Sequence, residues 1–379
     1  MRIVLIGGGH SHAIALWFFG KYPPVQGVEL ILISDCIQTP YSGMLPGHIA
    51  GFYTYQECHI NLIHLARFAR AKLCLDRVIG LDLHRNQVIC AHNHPISFDV
   101  VCLDIGSTPA ILTVPGALEY ATPVKPIPQF LRSWSEFLTN ISQRPQQPVN
   151  VGIVGGGAGG VELALTMQAR LGKIIDSPAN LHMHLFQRGM KIMPSHHPTV
   201  RCVLQSTLKK RGINIHLGAS VVKLDSPVPP KVQIITKSGF STECDRIFWV
   251  THASAPTWLR DAGLATDAQG FVLVDETLQS ISHSQVFATG DIASILNHPR
   301  PKAGVFAVRQ GKPLYTNLCR LTEGKPLKNY IPQRQYLSLI GTGDKRAIAS
   351  RGCFTLPPHP LIWWWKDRID HRFMQRFSF

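Results

Sequence analysis

Apolar runs separated by a helix-like stretch mark the first part of the chain. Ile3–Ile6 is an apolar run typical of a buried strand, and a helix is predicted through Ala13–Phe19. Val28–Ile33 predicts a second strand. A strand, a helix and a parallel strand form a βαβ unit, so the chain is expected to begin with the building block of a doubly wound α/β fold.

The same pattern starts again near the middle of the chain. A strand is predicted from Val151, a second at Met183–Phe186 and a third at Ile213–Leu217, after a Gln- and Pro-rich linker at 143–148. Short strands follow each copy. A repeated βαβ pattern indicates a duplicated unit, so two domains of the same type are predicted.

A glycine-rich turn stands directly after the first strand of each copy. The first turn reads GGGHSH (7–12) and the second GGGAGG (155–160). Such turns bring the backbone close to a pyrophosphate at a helix N-terminus. Turns of this kind also occur without ligands, but the strand before and the helix after favour nucleotide binding. The candidate residues are Gly7, Gly9, Gly155, Gly157 and Gly160, with His10 beside the first turn in a tuning, packing or hydrogen-bonding role.

The ends of the second strands predict which nucleotide each unit binds. An acid is expected there to bind a ribose, and the first unit offers Ser34 followed by Asp35, displaced by one residue. The second unit has Gln187 and Arg188 instead. An arginine attracts a 2′-phosphate that an acid would repel, so NADPH is expected to be tolerated. The alternative is that Arg188 is a solvated side chain without a role.

Composition and charge narrow the class of protein. Apolar residues make up 45% of the 379 residues and charged residues 16%, which is typical of a folded α/β enzyme. The formal charge of +15 indicates anionic partners, and phosphorylated cofactors or an anionic membrane surface fit it better than nucleic acid. The nine cysteines follow no metal or disulfide spacing, so reduced thiols, no metal site and a cytoplasmic location are expected.

A third sequence pattern decides the enzyme class. The run Val286 to Ala288, followed by Thr289, Gly290 and Asp291, predicts a strand that delivers an acid to a sharp glycine turn. With the preceding DETLQS segment, this run resembles the signature of the flavoproteins with two dinucleotide-binding domains, the pyridine nucleotide-disulfide type. The resemblance implies two Rossmann-like domains, FAD in the first and NADH or NADPH in the second. Gly106, Gly290 and Asp291 join the expected FAD site.

Further motifs resemble one subgroup of that family. They are GGGHSH, TPYSGMLPGHIAGFY (39–53), PVKPI (123–127) and WWWKDRIDHRFM near the end. Members of the subgroup are type II NADH dehydrogenase-like flavoproteins that are often fused to selenide, water dikinase. The resemblance makes Glu162 the candidate catalytic acid near nicotinamide and flavin, although it could equally complement its helix N-terminus. It also places Val305 and Phe306 in the cofactor site, at a helix start that faces the flavin and where type II enzymes usually carry a glutamine.

Cysteine positions separate the branches of this family. No C-x4-C pair follows the first unit, and no cysteine lies between Cys102 and Cys202. A dithiol relay is therefore not expected, and the flavin should reduce its acceptor directly. A quinone at the membrane surface is the favoured acceptor. The alternatives are a selenium-linked reduction and a flavin-binding partner or sensor without turnover.

The tail predicts where this reaction would occur. Ile362, Trp365, Ile369, Phe373 and Phe377 recur at helical spacing, and the opposite face carries Lys366, Asp367, Arg368 and Asp370. Residues 361–379 could lie on the inner face of an anionic membrane, pack on the protein's own core or join a homodimer. The expected domains are FAD-binding at 1–146 and 268–335, NAD(P)-binding at 147–267 and a C-terminal region at 336–379.

Overall fold

The computed structural model describes residues 1–109, 114–251 and 253–379. The helices are α1 (His10–Lys21), α2 (Leu45–Ile49), α3 (Leu62–Phe68), α4 (Ala117–Tyr120), α5 (Ile127–Ser142), α6 (Ala158–Leu171), α7 (Pro198–Lys210), α8 (Trp258–Asp261), α9 (Gly304–Thr322) and α10 (Pro360–Met374). The strands up to the linker are β1 (Arg2–Ile6), β2 (Glu29–Ser34), β3 (Gln38–Pro40), β4 (His59–Asn61), β5 (Lys72–Leu75), β6 (Val78–Asp82), β7 (Gln87–Cys90), β8 (Ile96–Ser97), β9 (Val100–Leu103), β10 (Thr108–Pro109) and β11 (Ala121–Pro123). The later strands are β12 (Val149–Val154), β13 (Leu181–Gln187), β14 (Ile213–Leu217), β15 (Val221–Asp225), β16 (Val232–Thr236), β17 (Ser241–Cys244), β18 (Arg246–Trp249), β19 (Ala253–Ser254), β20 (Val272–Val274), β21 (Val286–Ala288), β22 (Ala293–Ile295), β23 (Ser338–Gly341), β24 (Ala347–Arg351) and β25 (Phe354–His359).

The first unit is built on a parallel five-stranded sheet in the order β21-β9-β1-β2-β5. The strands β1, β2, β9 and β21 are mostly buried apolar runs, whereas the edge strand β5 is exposed or half-buried. Helices α1 and α9 pack against one another, and Gly311 of α9 allows this close approach, since a β-carbon there would collide with Ile14. The carboxyl ends of β1, β2, β9 and β21 therefore meet at one edge.

The second unit has a parallel sheet in the order β11-β18-β12-β13-β14, with the antiparallel sheet β15-β16-β17 beside it. Helices α5, α6 and α7 contribute apolar side chains to its core. The two parallel sheets confirm the expected fold class, a pair of Rossmann-like domains with the second inserted in the first.

The chain crosses between the units at other places than the expected boundaries. Strand β11 already belongs to the second sheet and α5 to the second core, so residues 121–142 lie with the second unit and not with 1–146. On the return, Leu259 and Leu264 already pack in the first core, before residue 268. Short strands β10 and β19 pair with each other where the chain crosses in each direction.

The C-terminal unit combines the antiparallel sheet β23-β24-β25 with α10, and it packs against both other units. Ile340 and Ile348 of its sheet join the second core, whereas Phe373 and Phe377 join the first. Arg211 of the second unit forms an ion pair with Asp344 at 2.5 Å. Residues 336–379 are thus a bridge between the two nucleotide-binding units.

Candidate functional site

The first glycine turn is closed tightly around Asp104. Gly7 has φ +93°, and its N–H donates to the carbonyl of Ile33 at 2.8 Å. A β-carbon on Gly7 would collide with the carbonyl of Asp104, and one on Gly9 with the Asp104 carboxylate. Only glycine fits at these two positions, because the next strand end lies directly against the turn.

Asp104 is a residue that sequence reasoning missed. Its buried carboxylate accepts from the N–H groups of Ser11 and His12 at 2.8 and 3.1 Å, and so caps the first turn of α1. Burial, with a smaller contribution from the Asp291 charge, raises the pKa of Asp104 to about 7, against the opposing effect of the hydrogen bonds from His12 and Ser11. The available signal was an acid at the end of a buried apolar strand.

His10 and His12 lie at the start of α1 in neutral form. Burial lowers the pKa of each to about 4. His10 Nε2 accepts from the N–H of Ser42 at 3.3 Å, and the His10 ring packs edge-on against Tyr41. His12 Nδ1 donates to the carbonyl of Gly7 at 2.8 Å. The two contacts of His10, with the Ser42 N–H and the Tyr41 ring, are those of a packing and hydrogen-bonding role, which was one expectation for this residue.

The end of β2 separates the roles of Ser34 and Asp35. Ser34 is buried, and its hydroxyl donates to the carbonyl of Cys36 at 2.9 Å, so it shapes the turn. Asp35 is exposed and lines a cavity of about 670 Å³ with Tyr55 and Arg77. The displaced acid, and not Ser34, therefore presents its side chain to a ligand-sized space.

Asp291 is held by partners from three parts of the chain. Gly290 has φ +69°, and its N–H donates to the Gln310 side chain at 2.6 Å. The Asp291 carboxylate accepts from Lys125 at 2.8 Å and from Ser107 at 3.3 Å. Gly106, with φ +68°, turns the chain just before Ser107. The sequence placed PVKPI only in the family resemblance and assigned Lys125 no role.

Val305 and Phe306 stand in the first turn of α9, and Val305 is half-buried. Phe306 lines a small cavity of about 20 Å³ with Asp291 and Lys302. Lys302 donates to the carbonyl of Ala293 at 2.6 Å, and burial lowers its pKa to about 8. The start of α9 is therefore an apolar wall beside two charged groups.

The second glycine turn is open where the first is closed. Gly155 has φ +123°, and a β-carbon on Gly160 would overlap the Gly155 carbonyl, so both positions require glycine. Gly157 is exposed and caps α6, and a β-carbon added to it would have nothing within 4 Å. The N-terminus of α6 therefore faces free space that a pyrophosphate could occupy.

Gln187 and Arg188 at the end of β13 do different things. The Gln187 side chain accepts from the N–H of Gly156 at 3.0 Å and donates to the carbonyl of Lys191 at 3.1 Å. It thus stabilises the glycine turn and is not aimed at a ligand. Arg188 is exposed at the strand end, where its charge is accessible to the solvent.

Glu162 faces the C-terminal unit rather than the solvent at its helix N-terminus. Its carboxylate accepts from the N–H of Gly341 at 2.7 Å. Burial raises the pKa of Glu162 to about 7, against the opposing effects of Lys366 and the Gly341 hydrogen bond. This carboxyl can therefore hold or release a proton at neutral pH.

The inner face of α10 differs from the expected one. Lys366 and Asp370 are buried and form an ion pair at 2.6 Å, whereas Trp365 and Ile369 are exposed. Tyr41 donates to Asp370 at 3.1 Å, and Tyr53 donates to Asp367 at 2.5 Å. The expectation of an outward face with Lys366 and Asp370 was wrong, because the two side chains pair with each other and form hydrogen bonds with Tyr41 and Gly43, just before α2.

The outer face of α10 is apolar and basic. Leu361, Trp364, Trp365 and Ile369 are between 42% and 68% exposed, and Arg368 lies over the Trp364 ring at 5.7 Å. In the part of the chain that the structure describes, no helix is long and apolar enough to cross a membrane. All nine cysteines lie within the described ranges and are free thiols.

These arrangements fit the two expected cofactors. At the carboxyl edge of the first sheet, the backbone turn at Gly7 and Gly9 has no room for a side chain. The same edge has a ligand-sized cavity at Asp35 and an Asp291 carboxylate that hydrogen bonds hold in place. The edge of the second sheet combines an open helix N-terminus with an exposed arginine. Such an asymmetric pair suits a resident FAD and an exchanging NAD(P)H.

Comparisons with known proteins agree with this interpretation. Residues 1–311 match the model of the pyridine nucleotide-disulphide oxidoreductase family. The chain is 24% identical to the NADH dehydrogenase-like protein YutJ of Bacillus subtilis, over 95% of this chain and 94% of that protein. It is 28% identical to the type II NADH:quinone oxidoreductase of Haemophilus influenzae, over 49% of this chain and 43% of that protein.

Solved structures share the fold at low identity. The sulfide:quinone oxidoreductase of Aquifex aeolicus superposes with a TM-score of 0.80 and 17% identity, over 99% of this chain and 91% of that one. NDH2 of Plasmodium falciparum gives 0.76 and 14%, over 99% and 97%. The chain belongs to the pyridine nucleotide-disulphide oxidoreductase family, which confirms the expected FAD-dependent NAD(P)H oxidoreductase.

Proposed function

We propose that the protein reduces a quinone with electrons from NAD(P)H at a membrane surface. The balanced reaction is NAD(P)H + H⁺ + quinone → NAD(P)⁺ + quinol. FAD, when bound, supplies the ring that accepts two electrons from the nicotinamide and passes them to the quinone. The names of the Haemophilus influenzae relative and of the demethylphylloquinone reductase of Synechocystis, 22% identical over 196 residues, support this acceptor.

The observation that carries the proposal is the two-sided character of α10. Its outer face offers Leu361, Trp364 and Trp365 to an apolar phase beside Arg368. Its inner face brings Lys366 to the vicinity of Glu162. An apolar acceptor drawn to the membrane interface would thus bind beside a helix whose buried face carries the Lys366–Asp370 ion pair and lies near a proton-holding carboxyl.

The residues of the chain divide the remaining work. Gly7 and Gly9 would let the FAD pyrophosphate approach the backbone before α1, and Asp35 and Asp291 would accept from the hydroxyl groups of FAD. Glu162 would supply a proton from its carboxyl oxygen to the quinone side, since its pKa of about 7 makes it an effective acid at neutral pH. Lys366 would stabilise the anionic charge left on that carboxyl.

Half-reaction kinetics test the acceptor. FAD-loaded protein is reduced anaerobically with NAD(P)H and then mixed with a short-chain ubiquinone or menaquinone analogue, and flavin absorbance is followed. We expect rapid reoxidation, and a Glu162→Gln variant that slows reoxidation by about 10²-fold while its reduction by NAD(P)H is unchanged. Reduced protein that no quinone analogue reoxidises would exclude a quinone; reoxidation by selenite instead would favour the selenium-linked alternative.

Vesicle binding tests the location. We expect the protein to sediment with vesicles that contain anionic phospholipid and much less with neutral ones, because the outer face of α10 is both apolar and basic. A Trp364→Ser/Trp365→Ser variant should lose this binding. The control is Leu118→Ser/Val228→Ser, which removes two apolar side chains elsewhere on the surface that are 69% and 67% exposed and so more exposed than either tryptophan. Equal loss in both variants would contradict a specific role for α10.

A further inference from the structure

The Asp291 carboxylate shares one oxygen between two donors. Lys125 Nζ lies 2.8 Å from Asp291 Oδ2 and 3.0 Å from Ser107 Oγ, and Ser107 Oγ lies 3.3 Å from the same Oδ2. Ser107 is buried, and the Asp291 side chain is 16% exposed. The three groups form a compact triangle in which the carboxylate orientation is fixed by two contacts on one atom.

The members of this triangle come from different units. Asp291 follows β21 and Ser107 follows β9, and both strands belong to the first sheet. Lys125 follows β11 of the second sheet, and the N–H of Val124 continues that pairing by donating to the carbonyl of Trp249 at 3.1 Å. The ammonium of Lys125 thus reaches from the backbone of the second unit into the cofactor edge of the first.

The ion pair of Lys125 with Asp291 offsets negative charge at the cofactor edge of the first unit. Asp291 lies near the buried carboxyl of Asp104, and the two acids repel each other. His10 is neutral there, and Lys302 donates to the carbonyl of Ala293 and lies over the Phe271 ring at 4.0 Å. Among the described residues, Lys125 is the cation in direct contact with Asp291. The pyrophosphate of FAD would add further negative charge to this edge.

We propose that Lys125 is a positioning residue which holds Asp291 in place for FAD and ties FAD affinity to the arrangement of the two units. The proposal rests on the FAD-binding role of Asp291 and is independent of the electron acceptor. Lys125 acts through Asp291, since its ammonium group donates its hydrogen bonds to the Asp291 and Ser107 oxygens. The second unit therefore contributes to the binding of the first unit's cofactor.

FAD titration of the apo-protein tests the proposal. We expect Lys125→Met to raise the dissociation constant for FAD about tenfold, because a charge-assisted hydrogen bond to Asp291 is lost. Lys125→Arg should keep it within about threefold. The matched control is Lys223→Met, which removes the exposed ion pair of Lys223 with Asp225, 2.6 Å long and confined to the second unit. This control should bind FAD as the wild type does.

A double variant separates positioning from general destabilisation. If Lys125 acts through Asp291, Lys125→Met adds nothing to the loss caused by Asp291→Asn, whereas independent effects would multiply. Hydrogen exchange of the apo-protein gives a second readout: exchange in 121–125 and 287–292 should rise in Lys125→Met and stay unchanged in Lys223→Met. If Lys125→Met is insoluble, Lys125→Gln is measured in the same way.

Two results would overturn the proposal. One is wild-type FAD affinity in Lys125→Met or Lys125→Gln; the other is a loss of affinity that multiplies with that of Asp291→Asn. Since neither measurement uses a quinone, a failed quinone assay leaves this inference standing, and the reverse also holds.

Discussion

The two glycine turns have similar sequences but differ in how much protein surrounds them. In the first, Gly7 and Gly9 press against Asp104, and Phe373 of the C-terminal unit reaches the ring of His10. In the second, Gly157 is exposed at the start of α6. A closed turn suits a ligand that stays through many turnovers, and an open one suits a ligand that exchanges. The surrounding protein, more than the glycine pattern, thus distinguishes the two sites.

The largest expected effect comes from adding one methyl group to the first turn, and the same change in the second turn is its control. Gly9→Ala should lose FAD almost completely and cost about 1–3 kcal/mol of unfolding free energy, because its β-carbon meets the Asp104 carboxylate. Gly157→Ala should keep FAD, since its β-carbon meets open space. The ratio of FAD to protein after gel filtration, with denaturant unfolding, measures both. Equal FAD loss in the two variants would contradict the comparison.

A smaller effect is expected at the open site. Arg188→Ala should lower kcat/KM for NADPH about tenfold and leave that for NADH nearly unchanged, because the lost guanidinium would bind the 2′-phosphate. Steady-state rates with both coenzymes measure this. Lys209→Ala, which removes an exposed cation near the end of α7, is the control. A strong NADH preference that is the same in wild type and Arg188→Ala would refute the role of Arg188.

The third prediction concerns Glu162, which lies where the second unit meets the C-terminal unit, and the pH dependence of unfolding. The pKa of Glu162 rises from 4.5 to about 7 on folding, so between these values the folded state binds more protons than the unfolded one. The unfolding free energy should therefore fall as the pH rises from about 4.5 through 7. Glu162→Gln should flatten this part of the profile in urea titrations at several pH values. An unchanged slope would argue against a buried neutral Glu162.

The smallest effect is expected from a histidine of the second unit. His184 Nδ1 lies 3.0 Å from His216 Nε2, and burial, followed by the repulsion of His216, lowers the pKa of His184 to about 4. The unfolded state then binds more protons between about pH 4 and 6.5, so stability should be lost as the pH falls through that window. His184→Gln should lessen this loss. His10 and His12 contribute in the same direction, and they stay unchanged in this variant.

The sequence predicted what is local and repeated. The strands at Ile3–Ile6 and Ile213–Leu217, the turns at Gly7 and Gly155 and the displaced acid Asp35 follow from apolar runs and glycine spacing, which act within a few residues. The fold class followed from the repeat of this pattern.

The sequence did not predict contacts between distant segments. Lys125 and Asp291 are far apart along the chain, and only the crossing strand β11, three residues long, brings them together. Lys366 and Asp370 have the i, i+4 spacing of a solvated surface pair. In the interior, however, Lys366 donates to the carbonyl of Gly43, and Asp370 accepts from the hydroxyl of Tyr41. The helical spacing of residues predicts which side chains share a face of α10, but it does not predict which face packs against the rest of the protein.

The bridge made by residues 336–379 gives the order of assembly a physical consequence. Until α10 docks, the hydroxyl groups of Tyr41 and Tyr53 lack their acceptors, Asp370 and Asp367. The apolar residues of the first core that pack against Phe373 are then exposed to water. During synthesis both nucleotide-binding units precede this helix, so its docking adds to the contacts that β10 with β19 and Lys125 with Asp291 already make between the units. A ribosome-bound chain stalled before Pro360 would accordingly leave Tyr41 and Tyr53, on either side of α2, without these hydrogen-bond partners.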